Sequence, residues 1–273
     1  MIAERTRVST EWLDLREPAD AAARARDLVE PLSRHLPATG CRVIHDLACG
    51  TGSMGRWLAP LLPGPQCWVL HDLDADLLHV AAADFPGPAA DGASVVVETR
   101  RSDVTQLRPD DLADADLITA SALLDLLTRD ELAGLIDVCA KAGCPVLLSL
   151  SVAGRVDLAP VDPLDSRVAG AFDAHQRRLT ARGRLLGPDA VAAAVQGFRR
   201  LGAEVLVRPT PWRLGAAEAD LAAQWFTGWI GAACEQSVDL ASDTGSYARR
   251  RLAEARAGEL AVTVGHADLL VLP

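Results

Sequence analysis

Three glycines after a short apolar segment restrict the possible folds of this chain more than any other residues do. The segment Val43–Gly55 has the sequence VIHDLACGTGSMG, in which Gly50, Gly52 and Gly55 spell GxGxxG. The apolar residues before the glycines predict a strand, and a helix is expected from about Ser53. A glycine turn between a strand and a helix lets the backbone approach a ligand at the helix N-terminus. The segment therefore predicts an α/β protein with a cofactor site, without choosing the cofactor.

The rest of the chain continues the alternation of apolar segments with helical patterns. Near-continuous apolar strands separated by helices predict a parallel sheet that is covered on both faces. The last strand follows a long helical stretch, so it is expected to return antiparallel, with a bulge at Gly265. The seven expected strands are residues 42–46, 66–72, 94–98, 117–121, 146–151, 204–208 and 260–272.

Two segments lie outside this alternation. Residues 1–40 are expected to form an N-terminal helical cap, and residues 152–187 a helical insertion after the fifth strand. The stretch between the sixth and seventh strands has helical character and no predicted strand. The expected organisation is a cap, 1–40, followed by one domain, 41–273, in which the insertion faces the substrate.

Composition excludes several classes of function. The formal net charge is −10, which disfavours general affinity for nucleic acid or an anionic membrane. Neither a signal-peptide core nor an 18-residue apolar stretch is evident. Six cysteines without CxxC or zinc spacing indicate reduced thiols in a cytoplasmic protein, and no metal is expected. A single lysine, abundant arginine and no asparagine suggest a bacterial coding sequence.

Two carboxylates narrow the choice of cofactor. Asp46 ends the first strand four residues before Gly50, where it would repel a pyrophosphate but suit a ligand with an ammonium and a sulfonium group. Asp72 ends the second strand, 22 residues after Gly50, where an acid accepts hydrogen bonds from ribose hydroxyls. The combination favours S-adenosyl-L-methionine (SAM) over a dinucleotide.

On these residues the sequence resembles the class I SAM-dependent methyltransferases over about residues 42–151, and by architecture alone over 188–273. DLACGTG, residues 46–52, is similar to the D-x-G-x-G-x-G motif of that family, with Ala48 in place of the first glycine. The resemblance implies a Rossmann-like, doubly wound seven-stranded sheet of order 3-2-1-4-5-7-6 with an antiparallel last strand.

The resemblance also implies a set of cofactor contacts. The expected cofactor-binding residues are Asp46, Ala48, Gly50, Gly52, Asp72, Leu73, Asp103, Val104, Ser121 and Arg16. Asp103 and the amide near Val104 follow the third strand, where the family binds the adenine edge. Arg16, or alternatively Arg24, is expected to bind the methionine carboxylate.

The candidate substrate residues come from segments beyond the carboxyl ends of the strands. His175 in the insertion is expected to act as base, with Asp125 as its partner or as the other candidate base. Trp12, Gln176, Trp212 and Arg213 complete the expected substrate wall, in which His175 also takes part.

The predicted function is SAM-dependent methyl transfer to a hydroxyl or amine, less readily to carbon, of a small, planar or carboxylated metabolite. The product would be S-adenosyl-L-homocysteine (SAH). Nucleic acid and membrane partners are not expected, and the sequence does not indicate an oligomeric state. Two alternatives stay open: a non-catalytic SAM-binding module and a nicotinamide-dependent reductase.

Overall fold

A computed structural model describes residues 8–85 and 87–273 of the protein. Its ten strands are β1 (Arg42–Leu47), β2 (Gln66–Asp72), β3 (Val95–Arg101), β4 (Leu117–Ser121), β5 (Val146–Ala159), β6 (Leu179–Thr180), β7 (Gly183–Arg184), β8 (Glu204–Pro209), β9 (Trp212–Leu214) and β10 (Ala261–Leu272). The α-helices are α1 (Thr10–Ala23), α2 (Val29–Ser33), α3 (Ser53–Leu58), α4 (Ala75–Ala83), α5 (Arg129–Ala142), α6 (Asp165–Gln176), α7 (Ala190–Arg200), α8 (Ala219–Gln236), α9 (Val238–Asp243) and α10 (Gly245–Arg256).

The main sheet has the order β3-β2-β1-β4-β5-β10-β8, with β9 paired to β10. Strands β1 to β5 pair in parallel, whereas β10 runs antiparallel to β5 and to β8. This is the predicted order, because β8 and β10 are the sixth and seventh strands of the sequence analysis. The doubly wound α/β fold with an antiparallel last strand is therefore confirmed.

The fifth strand is longer than the sequence analysis predicts. It continues to Ala159, so the first eight residues of the predicted 152–187 insertion are strand rather than helix. The continuation is stabilised by pairing with the first part of β10, where Ala261 lies opposite Ala159. The helical part of the insertion is α6, followed by the small hairpin of β6 and β7.

The stretch before the last strand also differs from the prediction. Trp212, Arg213 and Leu214 form β9, although no strand is predicted there. Three residues are too few for periodicity to reveal, and β9 exists because β10 offers a free edge. Together, β9 and the outer parts of β5 and β10 extend the sheet beyond the carboxyl ends of the parallel strands.

The bulge expected at Gly265 is present. The register of β10 on β5 shifts between Val264 and His266, and again between Ala267 and Leu269. At the second shift Leu150 has a φ of 54°, in the left-handed region that a leucine rarely adopts. Bulges re-aim side chains and are common beside active sites.

The hydrophobic core has three parts. One lies between the sheet and α5 and α7, and a second between the opposite face and α3, α4 and the N-terminal segment. The third lies on the extension of the sheet and is built largely from α6, α8 and α10, with residues of α1 packed against it. Because the third part sits beyond the carboxyl ends of the parallel strands, its helices cover the edge where α/β proteins bind ligands.

Candidate functional site

The glycine turn follows β1 directly and bends in the way its sequence requires. Gly50 and Gly52 have φ values of 56° and 86°, where residues with a side chain are strained. Ala48 also has a positive φ, 53°. The alanine that replaces the first motif glycine therefore occupies a backbone conformation that suits glycine better.

Asp46 points into the protein beside this turn. The residue is fully buried, and the hydroxyl of Thr119 donates a 2.7 Å hydrogen bond to its Oδ1. Its Oδ2 has no hydrogen-bond partner among the described residues. Burial raises the pKa of Asp46 to about 7, although the Thr119 hydrogen bond and the charge of Arg24 act in the opposite direction. A half-satisfied buried carboxylate of this kind is prepared to receive a cationic group.

Asp72 holds the turn from the neighbouring strand. The backbone N–H of Gly50 donates to its Oδ2 at 3.0 Å, and the N–H of Asp74 donates to its Oδ1 at 3.0 Å. Leu73, the next residue, is 38% exposed. Asp72 thus helps to fix the conformation of the glycine turn, and its contact with the ribose stays a prediction.

Asp103 begins the 3₁₀ turn Val104–Gln106 after β3. Its Oδ1 accepts hydrogen bonds from the backbone N–H and the hydroxyl of Thr105. Val104 is buried against the core beside α5. These contacts order the loop in which adenine recognition is predicted, and the contact with adenine itself stays a prediction.

Arg24 reaches the glycine turn from the N-terminal segment. It is 4% exposed, and its guanidinium donates to the hydroxyls of Ser53 at 3.0 Å and Ser121 at 3.2 Å. The Nε atom has no acceptor within residues 8–85 and 87–273. Burial lowers the pKa of Arg24, while Asp20, Asp268 and Asp46 act in the opposite direction. Of the two arginines considered from the sequence, Arg24 is the one in contact with the turn.

Arg16 is engaged elsewhere. Its guanidinium donates two hydrogen bonds to the carboxylate of Asp20, at 2.9 and 3.2 Å, and lies 5.0 Å from the ring centre of Trp212. The indole N–H of Trp212 donates to the same carboxylate at 2.9 Å. Trp12 is 6.5 Å from Trp212, between ring centres. The structure thus brings Trp12, Arg16 and Trp212 together, but as an anchor of α1 on the sheet.

The structure does not bring Trp212 and Arg213 together on one face of the sheet. Trp212 is 3% exposed whereas Arg213 is exposed to solvent, because consecutive side chains of a strand point to opposite faces. The sequence analysis predicts no strand over these residues, so it gives no reason for their side chains to alternate.

His175 lies in the last turn of α6 and is tied to α8. Its Nε2 is 3.2 Å from the carboxylate of Glu235, and its Nδ1 is 3.5 Å from the guanidinium of Arg178. Burial lowers its pKa, with Arg178 adding to the effect. In the described part of the chain, no hydrogen bond, ion pair or ring contact joins His175 to Asp125 or Trp212. The neighbouring Gln176 has a buried Oε1 without a partner there.

Asp125 lies in a 3₁₀ turn directly after β4, as expected for an active-site acid. Its Oδ1 is buried and accepts no hydrogen bond from any described residue. Burial raises the pKa of Asp125 to about 6, against the opposing charge of Arg16. A carboxyl group with such a pKa accepts a proton readily near neutral pH.

Sequence reasoning missed two groups in this region. Asp268 is 1% exposed and accepts hydrogen bonds from the backbone N–H groups of Ala25 and Leu150, at 2.9 and 2.7 Å. His266, which resembles an ordinary core histidine in the sequence, has a buried Nδ1 with no partner among the described residues. The only hint in the sequence is polarity inside an otherwise apolar strand.

The described residues offer no arrangement of three or more His, Cys, Asp or Glu side chains suited to a metal ion. None of the described helices has the length and apolar character needed to cross a bilayer.

Comparison with known proteins shows the fold. A cyclopropane-fatty-acyl-phospholipid synthase-like protein from Lactobacillus casei aligns with a TM-score of 0.54 and 14% identity, covering 97% of this chain and 94% of that one. The cyclopropane synthase MmaA2 from Mycobacterium tuberculosis gives 0.50 and 14%, with coverages of 97% and 94%. The mycolic acid cyclopropane synthase CmaA1, solved with SAH and CTAB, gives 0.50 and 14%, with coverages of 95% and 94%. No protein-family model matches the chain, and no curated protein matches it either.

At 14% identity these similarities establish architecture rather than activity. The chain has the fold of the class I SAM-dependent methyltransferases, including the glycine turn after β1 and the antiparallel last strand.

Proposed function

We propose that the protein is a methyltransferase that binds SAM at the glycine turn and transfers its methyl group to a small acceptor. The observation that carries the proposal is a pair of unsatisfied, oppositely charged groups beside that turn. Asp46 has a buried carboxylate oxygen without a hydrogen-bond partner in the described chain. Arg24 has a buried Nε without an acceptor there. The methionine end of SAM carries an α-ammonium and an α-carboxylate, which complement these two groups.

The residues present fit SAM in three respects. Asp46 would receive the ammonium group and become fully ionised, Arg24 would hold the carboxylate, and Asp72 would accept from the ribose hydroxyls. Ser121 and Ser53 keep the Arg24 guanidinium in place for this purpose. A pyrophosphate would instead meet the carboxylate of Asp46, so the nicotinamide-dependent reductase is the weaker alternative.

When bound, SAM supplies an electrophilic methyl group on a sulfonium sulfur. The chain then has to hold the acceptor in line with that methyl group, exclude water and remove a proton. Asp125 is proposed for the proton: it follows β4, its Oδ1 is free of protein partners in the described chain, and its pKa near 6 suits a general base. His175 stays a second candidate, although Glu235 and Arg178 engage both nitrogens of its ring.

A hydroxyl or amine of a small, planar metabolite is the proposed acceptor. The polar atoms without partners near the sheet edge support this choice, because a lipid chain would leave them unsatisfied. Asp125, Gln176 and His266 each contribute such an atom. A carbon acceptor is less well supported for the same reason.

Calorimetric titration of the purified protein with SAM, SAH and NADH tests the proposal. We expect SAM and SAH to bind and NADH not to bind. Asp72→Ala should weaken SAH binding about tenfold or more, since it removes a charged acceptor from both the ribose and the Gly50 N–H. Asp137→Ala, an exposed acid on α5, is the matched control and should bind SAH as the wild type does. NADH binding without SAH binding would favour the reductase.

Incubation of cell extract with methyl-labelled SAM separates an enzyme from a SAM-binding module. A labelled small molecule that depends on Asp125 supports the enzyme. Tight SAH binding with no labelled product in any extract would favour the non-catalytic alternative.

A further inference from the structure

A hydrogen-bonded row of four polar side chains crosses one face of the sheet and takes no part in the proposed chemistry. This histidine row consists, in order, of Asp114, His45, His71 and Ser102. Nε2 of His45 lies 3.1 Å from the Asp114 carboxylate, and its Nδ1 lies 2.9 Å from Nε2 of His71. Nδ1 of His71 lies 2.9 Å from the Ser102 hydroxyl. The two histidines are 0% and 1% exposed. Buried imidazoles cost more to desolvate than apolar side chains, so the row needs an explanation beyond packing.

The strand register places the row on a single face of the sheet. Leu47 lies opposite His71, and His45 is two residues from Leu47 on β1, so both histidines point to the same side. Their ring centres are 5.1 Å apart and the rings are stacked at 25°. On β3, Arg100 lies opposite His71, and Ser102 follows two residues later. The contacts of the row therefore follow from the pairing of β1, β2 and β3.

The hydrogen bonds of the row run in one direction. Burial lowers the pKa of both imidazoles, that of His71 to about 4, so the rings are neutral at pH 7. A carboxylate only accepts hydrogen bonds, so His45 donates to Asp114 from Nε2 and its Nδ1 is an acceptor. His71 must then donate to His45 from Nε2, which leaves its Nδ1 to accept from the Ser102 hydroxyl. Both rings are thus fixed as the Nε2–H tautomer, and the direction of the Ser102 hydroxyl is fixed with them.

Ser102 stands between the two acids that are predicted to bind the nucleoside part of SAM. Its backbone N–H donates to the carbonyl oxygen of Asp72 at 3.0 Å, and the next residue is Asp103. The main chain of Ser102 is therefore held by β2 while its side chain is held by His71. The row also joins the two ends of the segment between β3 and β4, because Ser102 opens that segment and Asp114 lies three residues before β4.

We propose that His71, held by His45, positions the turn after β3 for the adenine of SAM by fixing Ser102. That turn begins with Asp103, the acid predicted to accept from the adenine amine. A turn that is ordered before binding loses less conformational entropy when the ligand binds, so the row should raise the affinity for the cofactor. The inference rests on the proposed function, because the turn has this role only if SAM is the cofactor. It goes beyond that function by assigning three positioning residues.

Two amide substitutions at position 71 separate the two contacts of the ring. The oxygen of His71→Asn can take the place of Nδ1 and accept from Ser102, whereas the amide of His71→Gln extends to the place of Nε2 and can donate to His45. We expect His71→Asn to bind SAH within about twofold of the wild type, and His71→Gln to bind it about fivefold more weakly. Calorimetric titration gives the affinities, and thermal unfolding without ligand gives the stability of each variant.

Substitutions of the serine test the other end of the same contact. Ser102→Ala removes the hydroxyl and should weaken SAH binding about fivefold, whereas Ser102→Thr keeps a hydroxyl and should recover most of the affinity. Ser246→Ala, at an exposed position of α10, is the matched control and should bind SAH as the wild type does.

The ¹⁵N signals of labelled histidines give a readout that a purely structural role would not move. Without ligand at pH 7, His45 and His71 should both be the Nε2–H tautomer. SAH should shift the Nδ1 signal of His71 in the wild type but not in Ser102→Ala, and the signals of the exposed His35 should stay unchanged in both.

Failure of the inference can be told from failure of the proposed function. If SAH does not bind to the wild type, the proposed function fails and the inference fails with it. If SAH binds equally well to the wild type and to Ser102→Ala, the positioning role is wrong while the proposed function stands. The same holds if His71→Asn, which leaves the larger cavity, binds SAH more weakly than His71→Gln, because affinity would then follow packing. An Nδ1–H tautomer in either ring would overturn the direction of the hydrogen bonds and the inference built on it.

Discussion

Asp46 offers the sharpest test of the site, because its burial has opposite effects on stability and on binding. Its carboxylate is fully buried, with one oxygen bonded to Thr119 and the other without a partner in the described chain. The substitution Asp46→Asn keeps the shape and an oxygen that accepts from Thr119, but it removes the ionisable group. Without ligand we expect the variant to be more stable than the wild type above neutral pH.

The size of the effect follows from the pKa. Burial raises the pKa of Asp46 from 3.8 to about 7 in the folded protein. The folded state therefore holds a proton that the unfolded state has released between about pH 4 and 7, so the wild type loses stability as the pH rises through that range. One pKa unit corresponds to about 1.4 kcal/mol, so the loss approaches about 4 kcal/mol above pH 7.

Urea unfolding at pH 5, 6, 7 and 8, followed by circular dichroism, measures this difference. The free energy of unfolding of Asp46→Asn minus that of the wild type should increase by about 1.4 kcal/mol per pH unit up to pH 7 and then level off. All other groups titrate in both proteins, so the difference isolates Asp46. The exposed Asp137→Asn serves as control and should give a difference that does not change with pH.

SAM should bind Asp46→Asn at least about tenfold more weakly, because the ammonium loses its charged partner.

A pH-independent difference between Asp46→Asn and the wild type would refute the argument that burial perturbs this carboxylate. A variant that is more stable but binds SAM normally would leave the burial argument intact and remove Asp46 from the binding site.

Three further expectations follow from the structure. Ala48→Gly should raise the free energy of unfolding, measured by urea titration, by up to about 1 kcal/mol. The reason is that relief of the strain at the positive φ of Ala48 exceeds the entropic cost of glycine. A decrease would show that Ala48 is not strained. Burial lowers the pKa of His71 to about 4, so its ¹⁵N signals should stay those of a neutral ring at pH 5. The stability that the neutral ring contributes should be lost as the pH falls from 6.5 toward 4. A ring that is charged at pH 5 would contradict this expectation. Asp268→Ala should lower the free energy of unfolding by about 2 kcal/mol or more and accelerate proteolysis near Ala25, because two buried backbone N–H groups lose their acceptor. Unchanged proteolysis would show that the N-terminal cap is anchored elsewhere.

The sequence by itself determined the sheet and the cofactor turn. Glycines at this spacing after an apolar strand leave few alternatives to a tight turn between strand and helix, because Gly50 and Gly52 adopt backbone conformations that other residues avoid. The seven apolar segments defined the strands, and the long helical excursion before the last one defined its antiparallel return. These are local signals, and the structure follows them closely.

Only the tertiary structure decided which polar side chains meet. The extension of β5 and the existence of β9 depend on pairing with a strand that lies about fifty to one hundred residues away along the chain. That pairing turns Arg213 outward, places Trp212 under α1 and leaves His266 buried with an unsatisfied nitrogen. His175 has the right chemistry in the sequence, but the packing of α6 on α8 pairs it with Glu235 instead. Local sequence patterns do not reveal such partners, because strand register and helix packing decide which side chains meet when they are far apart in the chain. A shift of one residue in register is enough to exchange the two faces of a strand.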